Sequence, residues 1–284
     1  MPEKPPLTDQ LANLSPVIIV AVILGFTLLR VFLARRKEPW ALRIAEMSDT
    51  VSFVLALGFL LLKPFVAQAF YIPSESMEST LLKGDRIMVN KFQYRFQEPQ
   101  RGNVVVFAAP PEATKDGPEA DYIKRLIGLP GETIEVKRGR ILLDDEEVDP
   151  TAQGYPGLHF YIKTKLELDW KLNSVKLFSD HVLIDGTRSV SPTELAARLG
   201  KPGAKVKIIP GQTLINGKAL SEPYTREDPD YDRIDRCGPD ELYMLGDNRN
   251  LSADSHEWGT LKRWRVIGHA FGVFWPPARI GAIR

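Results

Sequence analysis

The sequence predicts a mainly β protein: an antiparallel β-sheet domain preceded by two N-terminal transmembrane α-helices. Two observations carry this. The first 74 residues hold two long apolar stretches separated by a cluster of basic residues. From Ile72 onward the pattern changes to short β-rich runs punctuated by Gly and Pro, which is how antiparallel strands joined by turns read.

From Gln10 to Leu29 no residue is charged, and the centre, Val17 to Leu24, is wholly apolar. At about 1.5 Å per residue, a helix over this stretch matches the roughly 30 Å of a hydrocarbon core. Arg35-Arg36-Lys37 follows it, with no small-x-small cleavage site, so it reads as a retained span rather than a removed leader. The second stretch, Thr50 to Ser74, carries one charge, Lys63, followed by Pro64. Lys63 can snorkel to the interface, and Pro64 marks a kink or the end of the buried part. A buried core helix is the alternative for this stretch. Arg35, Arg36, Lys37 and Arg43 lie between the two stretches, while only Lys4 is basic ahead of the first. The excess of positive charge assigns the connecting loop to the cytoplasm, and the N-terminus and everything beyond about residue 72 to the far side. The expected organisation is a tail and first transmembrane helix over 1–33, a basic cytoplasmic loop over 34–49, a second transmembrane helix over 50–71, and an extracytoplasmic β-rich domain over 72–284.

Within that domain the strand runs are Arg86–Asn90, Asn103–Ala108, Tyr122–Leu126, Thr133–Lys137, Arg140–Asp144, Val206–Ile209, Gln212–Asn216, Glu241–Leu245 and Val266–Trp275. The stretches beginning at Gly139 and Gly211 form a weak repeat, each a strand followed by a tight turn. Between them, about 150–210, lies an inserted subdomain with no chemistry of its own in the sequence. It contains one clear helix: Ser191-Pro192-Thr193-Glu194 is a capping box with Pro at the first helical position, and Gly200 closes it.

Composition narrows the function. Charged residues make up 26% of the chain and the net charge is +1, so no bulk field attracts nucleic acid. The single cysteine, Cys237, excludes an intrachain disulfide and reads as a buried structural thiol. His159, His181, His256 and His269 are too scattered to form a metal signature, and no metal or cofactor is expected.

Three segments carry candidate chemistry. In Phe70-Tyr71-Ile72-Pro73-Ser74-Glu75-Ser76-Met77, Pro73 favours an extended chain before it, which would place Phe70, Ile72, Ser74 and Ser76 on one face. Apolar pockets beside a hydroxyl suit peptide cleavage, and an ordinary Ser-rich turn is the alternative. In Asp121-Tyr122-Ile123-Lys124-Arg125, a lysine lies inside an apolar β run. Buried, it would lose basicity and, uncharged, take a proton from a serine hydroxyl. The alternative has Lys124 facing solvent and Ile123 facing inward. The third segment, Gly246 to Gly259, is a dense polar loop between Met244-Leu245 and Trp258. If buried it requires internal partners, with Arg249 pairing Asp247 or Asp254.

Together, and in this order behind two apolar stretches, these segments resemble bacterial type I signal peptidases (leader peptidases). That family carries an Ile-Pro-Ser-x-Ser-Met box (here Ile72 to Met77), Tyr-Ile-Lys-Arg followed by Gly-Leu-Pro-Gly (Tyr122 to Arg125, Gly128 to Gly131), and Gly-Asp-Asn-Arg-x-x-Ser-x-Asp-Ser (Gly246 to Ser255), then Trp-Gly (Trp258-Gly259). The resemblance implies a β-sheet catalytic domain of the signal peptidase type. It also implies a membrane-bound serine endopeptidase that removes signal peptides from exported preproteins after Ala-x-Ala motifs. By it, Ser76 is the nucleophile and Lys124 the general base, while Ser74 and the Ser76 N–H form the oxyanion hole. Ser252 orients the Lys124 amine, and Asp254, Arg249 and Asp247 brace the site. Phe70, Ile72, Leu81, Tyr122 and Ile123 line the substrate pockets, with the substrate added as a β-strand. Trp258, Trp264, Phe274 and Trp275 divide between core and membrane interface. The implied partners are preproteins, the lipid bilayer and, indirectly, the export machinery, in the bacterial inner (plasma) membrane; a monomer is the default expectation.

Three positions depart from the common family pattern: Glu75 replaces a frequent Gly, Ser79 a frequent Pro and His256 the usual Arg. The rival readings are a catalytically inactive membrane-tethered β scaffold and a specialised Ser-Lys peptidase acting on few substrates. Ser76, Lys124, Ser74 and Ser252 all being present argues against the scaffold.

Overall fold

A computed structural model of the chain describes residues 16–36, 38–58, 67–114 and 120–284. Helix α1 spans Pro16–Ala34 and helix α2 spans Pro39–Leu55. Extended Glu38 leads into Pro39 in the first turn, where its fixed φ and missing N–H are tolerated. The second helix therefore starts eleven residues before the expected 50, inside the segment expected to be a loop. Ala67–Tyr71, at the other end of the expected span, is a strand instead. Lys63 and Pro64 fall outside the described residues, as do Lys4 and Lys37.

On α2 the buried positions are Ala41, Ala45, Ser48 and Ser52, a small-residue stripe spaced four, three and four apart. Leu33 of α1 packs against Ala41 and Ala45. The Ser48 and Ser52 hydroxyls donate back to the carbonyls of Ile44 (2.9 Å) and Ser48 (2.8 Å), so close packing strands no polar group. Leu28, Phe32, Met47 and Phe53 are exposed. Among the described residues, no helix is long and apolar enough to cross a membrane.

The rest is built on β-strands. The first group comprises β1 (Ala67–Tyr71), β2 (Arg86–Asn90), β3 (Val104–Ala108), β4 (Asp121–Gly128), β5 (Thr133–Lys137), β6 (Arg140–Leu143) and β7 (Glu146–Glu147). The insert adds β8 (Val175–Leu177), β9 (Val182–Ile184), β10 (Arg188–Val190) and β11 (Val206–Ile209). The chain closes with β12 (Gln212–Ile215), β13 (Lys218–Ala219), β14 (Arg233–Arg236), β15 (Glu241–Leu245), β16 (Leu261–Lys262), β17 (Val266–Trp275) and β18 (Gly281–Ala282). The pairings are antiparallel.

The main sheet runs β1-β2-β17-β3-β4-β15-β16, with β18 on β17. Its two faces bury different clusters. Ile72, Met77, Leu81, Ile87 and Val106 fill one, with Phe70 and Ile123 against it. Val105, Phe107, Leu126, Met244 and Leu261 fill the other, with Tyr122 and Trp258 against it. Cys237 is buried in a third cluster beside Ile127 and Tyr243, and burial pushes its thiol up to about 12.

The weak repeat corresponds to two hairpins, β6–β7 and β12–β13. Each turns through two left-handed residues, Asp144-Asp145 and Asn216-Gly217, the conformation whose twist matches that of paired strands. The insert has its own core, from Leu158, Ile162, Leu195 and Ala196, and Ile141 and Leu143 of β6 belong to it. The subdomain therefore begins structurally near 140 rather than 150. Its capped helix covers Pro192–Arg198, with the Ser191 hydroxyl accepting from the Glu194 N–H at 3.2 Å.

Candidate active site

Strand β1 ends at Tyr71. Beyond it, the Ile72 N–H donates to the Asp85 carbonyl and the Gly84 N–H to the Ile72 carbonyl, both at 2.9 Å, pinching off a loop. Inside that loop the chain winds into a turn, with Glu78 N–H on the Glu75 carbonyl (3.0 Å) and Leu81 N–H on the Met77 carbonyl (2.8 Å). The extended run expected to reach Ser76 is thus cut short. Ser76 and Met77, neighbours in sequence, are both buried, and the Met77 carbonyl takes the N–H of Leu81 four residues on, which is the geometry of a turn and not the alternation of a strand. Ser76 is buried, while Ser74 and Glu75 are exposed. The Ser74 and Ser76 hydroxyl oxygens lie 3.3 Å apart. The Ser76 backbone N–H meets no acceptor among the described residues.

Lys124 sits on β4, opposite Val105 of β3, and is only 5% exposed, so it does not face solvent. Its Nζ lies 2.9 Å from Ser76 Oγ and donates to the Ile123 carbonyl at 3.0 Å. Three strands separate β1 from β4 in the sheet order, so the sheet must curl to bring these side chains together. Burial pushes the Lys124 amine down to about 8, against the opposing pull of the Asp254 and Asp247 carboxylates. On its far side β4 pairs with β15 only from Arg125 onward. The Tyr122–Ile123 backbone there faces no strand among the described residues.

Loop 246–255 closes the site from below. The Asn248 N–H donates to the Ser76 carbonyl (3.1 Å) and its side-chain amide to the Glu75 carbonyl (3.2 Å). Gly246 is required here, because a Cβ would stand 2.5 Å from the Ser76 carbonyl oxygen and 2.2 Å from Ser252 Oγ. Asp254 accepts from the Gly246 N–H at 2.8 Å, and its other oxygen lies 2.7 Å from His256 Nδ1. The His256 ring stacks on Tyr231 with centroids 4.0 Å apart.

The expected pairing of Arg249 with Asp247 or Asp254 is not found. Arg249, fully buried in a 3-10 turn, reaches across to Glu222 and to Thr213 Oγ1 (2.8 Å). Asp247 instead receives Arg125 through two bonds, Nε to Oδ1 at 2.8 Å and Nη2 to Oδ2 at 2.7 Å, with Thr80 Oγ1 also donating to it. Both guanidinium forks are used in this way, Arg125 on Asp247 and Arg249 on Glu222. Ser252 Oγ is buried but has no hydrogen-bond partner, on Lys124 or elsewhere among the described residues.

The profile of the signal peptidase family, peptidase S26, matches residues 44–188 and 198–275. The chain belongs to this family. It is 34% identical over 221 residues to a signal peptidase I of Leptolyngbya laminosa, covering 76% of this chain and 73% of that one. A probable signal peptidase I-2 of Synechocystis is 32% identical over 219 residues (76% and 67%). A signal peptidase I of Aquifex aeolicus is 28% identical over 226 residues (74% and 76%). As a family member the chain is a serine peptidase that removes signal peptides.

For a family whose substrate is a peptide, the pocket residues matter next. Phe70, Ile72, Leu81 and Ile123 adjoin one apolar cluster beside the serines. Tyr122 lies on the opposite face, its ring centroid 5.5 Å from Lys124 Nζ. Sequence reasoning missed Thr80, Arg125, Glu222 and Asn248. Arg125 had a signal, as the second basic residue of an otherwise apolar run. Glu222 had none, being a carboxylate in a loop outside the three segments. Among the described residues no cluster of three His, Cys, Asp or Glu side chains is arranged to hold a metal.

Proposed function

We propose that this chain cleaves preproteins by acyl transfer, with Ser76 as nucleophile and Lys124 as general base. The observation that carries the reading is the buried Lys124 amine at 2.9 Å from Ser76 Oγ. With the amine held near 8, an appreciable fraction is uncharged at neutral pH and accepts the Ser76 proton as Oγ attacks the scissile carbonyl. The tetrahedral oxyanion is met by the Ser76 N–H and the Ser74 hydroxyl, each such donor being worth roughly 3–4 kcal/mol. Lys124 passes its proton to the leaving amine, then activates water to hydrolyse the acyl-enzyme. Ser252 turns its free hydroxyl toward the amine, Asp254 holds the Gly246 loop, and Asp247 and Arg249 fix the loop through Arg125 and Glu222.

The substrate strand adds along Tyr122–Ile123 and the segment leading to Ser76. Pockets formed by Phe70, Ile72, Leu81, Tyr122 and Ile123 accept the small residues of an Ala-x-Ala motif. The chain is anchored in the bacterial plasma membrane by two N-terminal spans, the catalytic domain lying outside the cytoplasm. The exposed apolar side chains of the two helices, Leu24, Leu28 and Phe32 on α1 and Phe53 and Val54 on α2, support that anchoring.

The test is cleavage of a purified preprotein carrying an Ala-x-Ala site by the detergent-solubilised protein, with product sequencing. Wild type should cut after the second Ala, and Ser76→Ala and Lys124→Ala should not. Full activity in Lys124→Ala would remove the lysine from the mechanism, and an inert wild type would favour the scaffold reading.

A further inference from the structure

We infer that Arg226 is a positioning residue that couples the inserted subdomain to the turn carrying Ser76; the inference rests on the Ser-Lys reading above. Arg226 lies in the strap Glu222–Tyr231, which runs between the insert and the catalytic loops. The first half of the strap holds the catalytic side. Glu222 takes Arg249, the Tyr224 carbonyl takes the Ser79 hydroxyl, and the Tyr224 ring lies 4.0 Å from the Arg125 guanidinium. The second half holds the insert. Glu227 takes Lys163 at 2.6 Å, Asp228 takes the Leu177 N–H at 2.7 Å, and Asp230 takes His159 at 2.6 Å.

Arg226 stands where the strap changes sides, and it grips both. One guanidinium nitrogen is paired with the Glu78 carboxylate, two residues past the nucleophile. The other donates to the insert carbonyls of Lys171 (2.5 Å) and Leu172 (3.1 Å). Its backbone N–H donates to the Asp247 carbonyl at 2.9 Å. Three separate segments thus meet on one residue that is 11% exposed at the side chain. The Ser76 turn is held from one flank by Asp247 through Thr80, and Glu78 is its handle on the other.

This arrangement needs an arginine. Its planar fork points donors in two directions at once, whereas a lysine ammonium can satisfy the carboxylate or the carbonyls but is too compact to span both. Losing the bridge frees the Glu78 flank, and a displacement of about 1 Å at a nucleophile can lower turnover by roughly 100-fold. No pocket residue moves, so substrate binding should change little.

The experiment is steady-state cleavage of a preprotein by the full chain in detergent, comparing wild type, Arg226→Gln, Arg226→Lys, Glu78→Gln and the Arg226→Gln/Glu78→Gln double variant. Folded fractions are set equal by circular dichroism. We expect kcat to fall at least 10-fold in Arg226→Gln, with KM within about threefold of wild type. Arg226→Lys should be intermediate, and the double variant should fall no further than Arg226→Gln alone. A purely structural Arg226 would lower the melting temperature while leaving kcat per folded molecule unchanged. Multiplicative losses in the double variant would show that Glu78 and Arg226 act separately. Either result overturns the inference. Ser76→Ala, run in parallel, keeps the two readings apart: a Ser76→Ala variant as active as wild type would strike the Ser-Lys reading itself.

Discussion

Replacing Lys124 by methionine should make the protein more stable at neutral pH while abolishing activity. The magnitude follows from the position of the amine. Burial holds its pKa at about 8, against 10.5 in an exposed chain. Because the folded pKa is the lower one, the unfolded chain binds the proton more tightly, and folding at pH 7 works against a charge it would rather lose. A gap of that size, at about 1.4 kcal/mol per pH unit, amounts to about 3 kcal/mol. Methionine removes the charge in a similar volume but forfeits the two hydrogen bonds of Nζ, at about 1 kcal/mol each. Lys124→Met should therefore gain about 1 kcal/mol at pH 7, or about 2–4 °C in melting temperature. Wild-type stability rises as pH climbs from about 8 toward 10.5, so by pH 9.5 the difference should shrink by about 2 kcal/mol and change sign. Paired thermal melts of wild type and variant at pH 7 and 9.5 measure this. A variant less stable than wild type at pH 7, or a difference that ignores pH, would refute the argument.

The same amine sets the rate profile: kcat/KM should rise through an acid limb near pH 8, and Asp254→Asn, by removing a carboxylate that pulls the amine up, should move that limb to lower pH. A limb near the ordinary lysine range would contradict both. Asp247→Asn leaves the 2% exposed Arg125 without its counter-charge and should destabilise the fold by roughly 3–5 kcal/mol in denaturant titration, where a loss under about 1 kcal/mol would be a failure. Ser252→Ala removes a buried hydroxyl that has no partner, so stability should stay within about 0.5 kcal/mol of wild type while kcat drops at least about tenfold. Unchanged kcat would exclude Ser252 from orienting the lysine.

What the sequence made legible was local. Strand runs such as Arg86–Asn90, Thr133–Lys137, Glu241–Leu245 and Val266–Trp275 recur with the same bounds, because alternation, β-branched residues and turn punctuation all agree there. The Ser191 capping box reads directly, since its bond spans only three residues. Partner choice did not read out. Glu222 binds Arg249 from 27 positions away, and Arg125 reaches Asp247 across 122, so only the curled sheet decides which carboxylate meets which guanidinium. The second helix starts at Pro39, a local start signal that lies ahead of the apolar run from Val51 and so does not show in apolar content. The β-forming Ala67–Tyr71 was absorbed into that apolar stretch although it pairs with β2. The insert looked inert because its charged residues, Lys163 and His159, gain meaning only from the strap that they bind.

Trapping the acyl-enzyme tests the central claim most directly. The detergent-solubilised protein would be treated with a serine-directed acylating inhibitor at pH 8, digested, and mapped by mass spectrometry, beside Lys124→Met. The Ser-Lys account predicts a single adduct on Ser76 in wild type, with labelling slowed at least about 100-fold in Lys124→Met. An adduct on another residue, or equal labelling rates in the two proteins, would contradict it.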